Sequence, residues 1–205
     1  MTSEPVANPT ATAPPTAAMT NAALIALFAA LIAALGAFPA VYSQASGGVP
    51  YTLQTLGIMI AGGVLGWKRG FLAVALFLGL VAAGLPLLAG GRGGVEVFQG
   101  PTVGYLVGFA FGAAAIGLLS PPTGRGSTNI VRIAIATFIG GIGVVYAFGI
   151  PGLAWRGDMS LGAAWDVGKV FFVWDTFKVI VATFVVAQVR GSGLLGGGAG
   201  TSGDA

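Results

Sequence analysis

From residue 21 to residue 189 the chain is a succession of apolar runs, each near the length that crosses a bilayer and each cut by proline, glycine or a basic pair. A hydrocarbon core takes about 20 mostly apolar residues per helix, within roughly 17 to 25. Six runs meet or approach that length, at residues 21–38, 53–67, 70–89, 103–120, 130–150 and 169–189. The second is short and holds Gly57, Gly62 and Gly63, which suits a tilted, locally thinned or partly re-entrant segment. The breaks fall at Pro39, Gly47-Gly48-Val49-Pro50, Lys68-Arg69, Gly90 to Gly94, Pro121-Pro122 and Pro151-Gly152. Only 7% of the residues are charged, against about 25% in soluble domains. Water cannot wet a surface with so few charges, so the pattern defines an all-α membrane protein of six transmembrane helices.

Residues 1–20 are rich in Pro, Thr and Ala, with a single charge at Glu4, and read as a disordered tail. Residues 21–190 form the membrane domain, and residues 191–205 a flexible Gly-rich tail. No Lys or Arg precedes Lys68, so the first run lacks the basic flank of a signal peptide and reads as a spanning helix.

Several chemistries are excluded. The sequence has no Cys and no His, which removes disulfides, thiolate metal sites and imidazole catalysis. The nine Lys and Arg are spread along the chain, most of them in or beside short loops, and form no block or stripe, so nucleic acid is not a partner. Gly162 to Val170 imitates a phosphate-binding loop, but with five residues between its glycines and Val170 in place of Ser or Thr. Gly191 to Gly196 spells a dinucleotide fingerprint with no preceding strand and no acid further on. No enzyme active site and no cofactor is expected.

Lys and Arg are retained on the cytoplasmic side of short loops. With the N-terminus inside, the inner loops and tail hold Lys68, Arg69, Arg125, Arg132 and Arg190, and the outer loops only Arg92 and Arg156. Both termini are therefore expected in the cytoplasm.

Helices in lipid associate where small residues let backbones approach. Gly104, Gly108 and Gly112 recur every fourth residue, as do Gly62, Gly66 and Gly70, and these mark internal packing faces. In the first run Ala22, Ala26, Ala30 and Ala34 do the same, which fits either an internal contact or a docking surface for another membrane protein.

Ionisable residues inside a span cost about 2.5 to 3.5 kcal/mol each and are functional candidates by default. The last run carries Asp175 and Lys178, three residues apart and so on one helical face. A helix starting at Lys169 places them roughly 9 and 14 Å below its outer end. They either neutralise one another or present acceptors and donors to a ligand. Further polar candidates near the outer face are Thr52 and Gln54, and Arg92 within the Gly90–Gly94 turn, where a guanidinium can bind a carboxylate bidentately.

Four segments in this order resemble one family: Val49-Pro50-Tyr51-Thr52-Leu53-Gln54-Thr55-Leu56-Gly57, Gly84-Leu85-Pro86 with the following glycines, Gly100-Pro101-Thr102-Val103-Gly104-Tyr105, and Asp175-Thr176-Phe177-Lys178. The chain is similar in these to BioY, the biotin-capturing S-component of energy-coupling-factor transporters. The resemblance implies a six-helix S-component bundle in a bacterial cytoplasmic (inner) membrane that binds biotin from outside. It also implies partnership with a transmembrane coupling subunit, met at the alanine face of the first helix, and with two cytoplasmic ATPases. Asp175 and Lys178 would meet the ureido group, Thr52, Gln54 and Tyr105 would line the pocket, and Arg92 is the candidate for the carboxylate. Trp174 departs from the small residue common before the Asp. An S-component for another vitamin, or a membrane scaffold without a ligand, are the alternatives.

Overall fold

The computed structural model describes residues 16–38, 49–122 and 129–193. Pro39, Gly47, Gly48, Arg125 and most of both expected tails, residues 1–15 and 194–205, lie outside the described residues. The helices are α1 (Ala17–Gly36), α2 (Gln54–Leu65), α3 (Trp67–Ala82), α4 (Val103–Leu119), α5 (Ile130–Phe138), α6 (Val145–Arg156), α7 (Leu161–Lys169) and α8 (Phe172–Gly191). A short 3-10 turn, Val95–Phe98, precedes α4, and a π-helical stretch, Ile139–Val144, joins α5 to α6. No strand occurs among the described residues. Among them, three continuous helices are long and apolar enough to cross a bilayer: Ala17–Gly36, Ile130–Arg156 and Phe172–Gly191.

The short α2 is the hub, packed against α1, α3, α4 and α8. Every residue of it except Leu56 is buried. A helix apolar on all sides belongs inside a protein. Walled off from lipid, its roughly 18 Å length need not match the bilayer. It ends at Gly66, whose φ of 78° turns the chain directly into α3.

The Gly104, Gly108 and Gly112 row is an internal seam, as its spacing implies, whereas Gly62, Gly66 and Gly70 form no single row: Gly66 breaks the chain between α2 and α3, and Gly62 and Gly70 meet across that turn. On α4, a Cβ at Gly104 would meet the Phe148 carbonyl and the Cα of Gly152, and one at Gly108 the Val145 carbonyl at 2.9 Å. A Cβ at Gly62 on α2 would meet the Ala113 carbonyl of α4. The backbones touch, which is the packing that lipid solvent favours.

Several boundaries differ from the sequence reading. Lys68-Arg69 do not separate two helices but lie in the first turn of α3, because the break comes earlier, at Gly66. Helix α1 starts at Ala17 because the Thr16 hydroxyl caps it, accepting from Met19 N at 3.3 Å. Helix α3 ends at Ala82, so residues 83–89 form the turn after it. Pro151 breaks nothing. It lies inside α6, at the lost hydrogen bond to Ala147, a cost that tertiary packing absorbs. Residues 161–169 are not loop but helix α7, capped by the Ser160 hydroxyl accepting from Ala163 N at 3.2 Å.

That last difference moves a candidate residue. Because α8 starts at Phe172 and not at Lys169, Asp175 sits in its first turn. The carboxylate thus lies near the helix's positive end, where the backbone dipole favours it, and not two turns deep.

Candidate functional site

The N-terminal ends of α2, α4 and α8, with the 83–94 turn and the middle of the α5–α6 helix, enclose one cavity. Thr52, Gln54, Thr55, Arg92, Tyr105, Tyr146, Asp175 and Lys178 line it, with Phe109, Val145, Leu88 and Phe171 as apolar wall. All six residues expected at the site from sequence are in this lining. A mostly apolar concavity with a few converging polar groups is the usual form of a small-molecule site.

Asp175 and Lys178 are both buried and form an ion pair of 2.8 Å. Their other partners come from α2 and α6. Asp175 Oδ1 also accepts from Thr55 Oγ1 at 3.1 Å, and Oδ2 accepts from the Tyr146 hydroxyl at 2.8 Å. Lys178 Nζ donates to the Thr52 carbonyl at 2.6 Å, to Thr55 Oγ1 at 2.9 Å and to Asp175. The ammonium spends all three protons, and the Thr55 hydroxyl relays between the two charges. A buried pair survives removal from water only with such extra hydrogen bonds.

Capacity for a ligand remains. Asp175 Oδ2 keeps a second acceptor site, and the Tyr105 hydroxyl is buried with no hydrogen-bond partner. An orphaned hydroxyl costs about 1–3 kcal/mol. Tyr105 packs edge-on to Tyr146 with centroids 6.1 Å apart, so two phenols flank the carboxylate side of the cavity.

Gln54 serves differently from the expectation of a ligand contact. It is almost fully buried, donates from Nε2 to the Leu87 carbonyl at 3.0 Å and accepts at Oε1 from Ala89 N at 3.1 Å. Its amide is committed to holding the 87–89 turn against α2. Thr52 likewise uses its hydroxyl to accept from Gln54 N at 3.1 Å, and only its carbonyl meets Lys178. Arg92 donates from Nε to the Ala89 carbonyl at 3.2 Å. It lines both the cavity and the adjoining outer cleft with Glu96 and Thr102.

The turn bearing Arg92 is tight because Gly90, Gly91 and Gly94 take positive φ, as the glycine cluster predicts. Trp174 does not shape the cavity; it is 53% exposed and stacks edge-on against Phe177 at 6.0 Å. Thr55 and Tyr146 are the residues that sequence reasoning missed. A hydroxyl in an apolar helix carries no charge to announce it, though Tyr in a span does present a polar handle in need of a partner.

Fold and cavity together define a helical membrane protein built to hold a small polar-headed solute. The chain belongs to the BioY family, whose model matches residues 7–193. It is 45% identical over 141 residues to "Biotin transporter BioY" of Rhizobium etli, covering 67% of this chain and 75% of that one. It is 44% identical over 177 residues to "Biotin transporter BioY" of Rhodobacter capsulatus, covering 80% and 91%. The Thermotoga maritima protein of the same name is 39% identical over 145 residues, covering 70% and 82%. Its fold matches a crystal structure of the S-component for biotin from an ECF-type ABC transporter, with a TM-score of 0.76 and 29% identity, over 87% of this chain and 95% of that one.

Proposed function

We propose that the chain captures biotin in this cavity as the S-component of an ECF-type transporter. The observation that carries the reading is the Asp175–Lys178–Thr55–Tyr146 network beside the unpartnered Tyr105 hydroxyl. Biotin presents two ureido N–H donors, a carbonyl acceptor, an apolar sulfur ring and a carboxylate tail. Asp175 accepts from the ureido nitrogens, Tyr105 donates to the ureido oxygen, Lys178 holds Asp175 in place, and the apolar wall takes the ring. Arg92, at the junction with the outer cleft, meets the carboxylate. The protein changes no covalent bond.

Six elements, α1, α2, α3, α4, the α5–α6 helix and α8, make up the membrane bundle in this reading, the short α2 at its protein-enclosed centre, with residues 21–190 as one transmembrane domain of a bacterial inner membrane. Charge supports the orientation. The ends of α2, α4 and α8 remote from the cavity gather Lys68, Arg69, Arg132 and Arg190, with no acid among the described residues there. Those cations face the cytoplasm and the cavity opens outward.

Ala22, Ala26, Ala30 and Ala34 are exposed along α1, while the opposite side of that helix packs on α2 and α3. An uncovered small-residue face allows close backbone approach by a partner helix. The coupling subunit docks there, and two ATPases supply the energy. Exchanging Ala26 and Ala30 for Trp is expected to leave biotin binding within about twofold and to abolish uptake in cells carrying the coupling subunits. Loss of binding as well would place those alanines in the fold and not in docking.

Calorimetric titration of the detergent-purified chain with biotin, thiamin and riboflavin tests the ligand. Saturable binding of biotin alone is expected. Preference for another vitamin makes the chain a sister S-component, and indifference to all three makes it a scaffold.

A further inference from the structure

A second groove lies at the other end of the molecule, between the last turn of α4 and the first turns of α5. Its walls are Leu118, Leu119, Val131, Ile135 and Ile139, with Arg132 at its head. Leu118, Val131 and Ile135 are 60, 63 and 55% exposed. In a membrane protein that exposure faces acyl chains. Residues 131, 135 and 139 follow the four-residue spacing of one helical row, giving an apolar track of roughly 12 Å.

Arg132 is held in place. Its Nε donates to the Leu119 carbonyl at 3.0 Å, while its backbone N–H is taken by Asn129 Oδ1 at 3.1 Å. The two guanidinium amino groups have no acceptor among the described residues, and neither does any carboxylate among them lie at this end. The groove therefore joins a fixed cation, with no carboxylate beside it among the described residues, to an oily track. A two-fold contact between copies centred here would bring two Arg132 together with no acid between them, which disfavours a second chain as the occupant.

We propose that this groove binds a diacyl anionic phospholipid, its phosphate on the Arg132 amino groups and one acyl chain along Val131, Ile135 and Ile139. A guanidinium fork binds a phosphate bidentately, and the net negative charge of an anionic lipid complements a cation with no acid beside it among the described residues, whereas a zwitterionic headgroup carries its own cation. Basic pockets between helices at a membrane face are recognised sites for acidic headgroups. The groove lies between α4 and α5, whereas α1 packs on α2 and α3, so the lipid and a partner on α1 can be bound together.

Native mass spectrometry of the full chain in detergent, titrated with dioleoylphosphatidylglycerol, dioleoylphosphatidylcholine or inorganic phosphate, tests the assignment. The phosphatidylglycerol adduct is expected to persist about fivefold more than the phosphatidylcholine one. That preference should vanish in Arg132→Gln and survive in Lys68→Gln, which removes a cation from the same end but not from the groove. Should Arg132→Gln not fold, Arg132→Lys keeps the charge and loses the fork, and a reduced preference is expected. Equal retention of both lipids overturns the proposal, as does equal loss in the Lys68 variant, an unchanged preference in Arg132→Lys, a protein dimer in place of the adduct, or displacement of the lipid by inorganic phosphate.

Discussion

Replacing Lys178 by Met is expected to weaken biotin binding by at least about a hundredfold and to destabilise the protein by about 3–5 kcal/mol. The second effect follows from the buried geometry. Lys178 closes Asp175, Thr55 and the Thr52 carbonyl into one network, and removing one member of a buried pair strands the other charge. The first follows because Asp175, the acceptor offered to the ligand, loses the partner that keeps it ionised and in place, and ligand donors are then left unpaired. The two effects separate in the double variant Asp175→Asn with Lys178→Met. With both charges gone, stability should largely return, since paired sites are non-additive, yet biotin should still fail to bind. Thermal melts and titration calorimetry read the two quantities. A stable double variant that binds biotin like the parent would make the pair purely architectural.

Gly62→Val is expected to cost 3 kcal/mol or more, with most of the protein lost from the monodisperse peak on size exclusion. Its Cβ would meet the Ala113 backbone carbonyl, and neither α2 nor α4 can yield: α2 is enclosed on every side and α4 is pressed against the α5–α6 helix. Overpacking against side chains costs about 1–3 kcal/mol, and a rigid backbone obstacle lies at or beyond the upper limit. Gly79→Ala in α3 is the matched control. Nothing lies within 4 Å of its added methyl, so a change of at most about 1 kcal/mol, in the stabilising direction, is expected. Comparable losses in both variants would show that helix propensity, and not the α2–α4 seam, governs stability.

Features that are expensive in lipid were the ones visible in the amino-acid string. Asp175 and Lys178 stood out because nothing but a site or a pair offsets their insertion, and the structure makes them a pair on a cavity wall. The glycine row of α4 is legible because side-chain absence every fourth residue has one use in a bilayer, and its backbone contacts bear that use out, whereas the spacing of Gly62, Gly66 and Gly70 conceals the turn at Gly66 that parts them between two helices. Inexpensive features stayed hidden. Thr55 and Tyr146 each contribute a single hydroxyl, which leaves an apolar run looking apolar. Gln54 was legible as polar but not as a brace, since only the fold brings the 87–89 turn beside it. The segment from Leu161 to Lys169 carries no clear helical period because Gly162, Gly168 and Asp166 dilute it, and its one sequence signal is the Ser160 cap. Missing that helix is what displaced the start of α8 and with it the depth of Asp175.

Helix α8 is tied to α2 twice. The Asp175–Lys178 cluster fastens the cavity-side ends, and fifteen residues later Arg190 reaches the Gly63 carbonyl from Nε at 2.7 Å and the Pro121 carbonyl from Nη1 at 2.7 Å. Two polar rivets roughly 22 Å apart turn the pair into a stiff plank. The glycine seam between α4 and the α5–α6 helix carries one such tie, from Arg132 Nε to the Leu119 carbonyl at the end remote from the cavity, and its cavity-side half relies on smooth surfaces in van der Waals contact. A deformation that lets a captured solute leave therefore meets least polar resistance along that cavity-side half, with the plank as the stationary side.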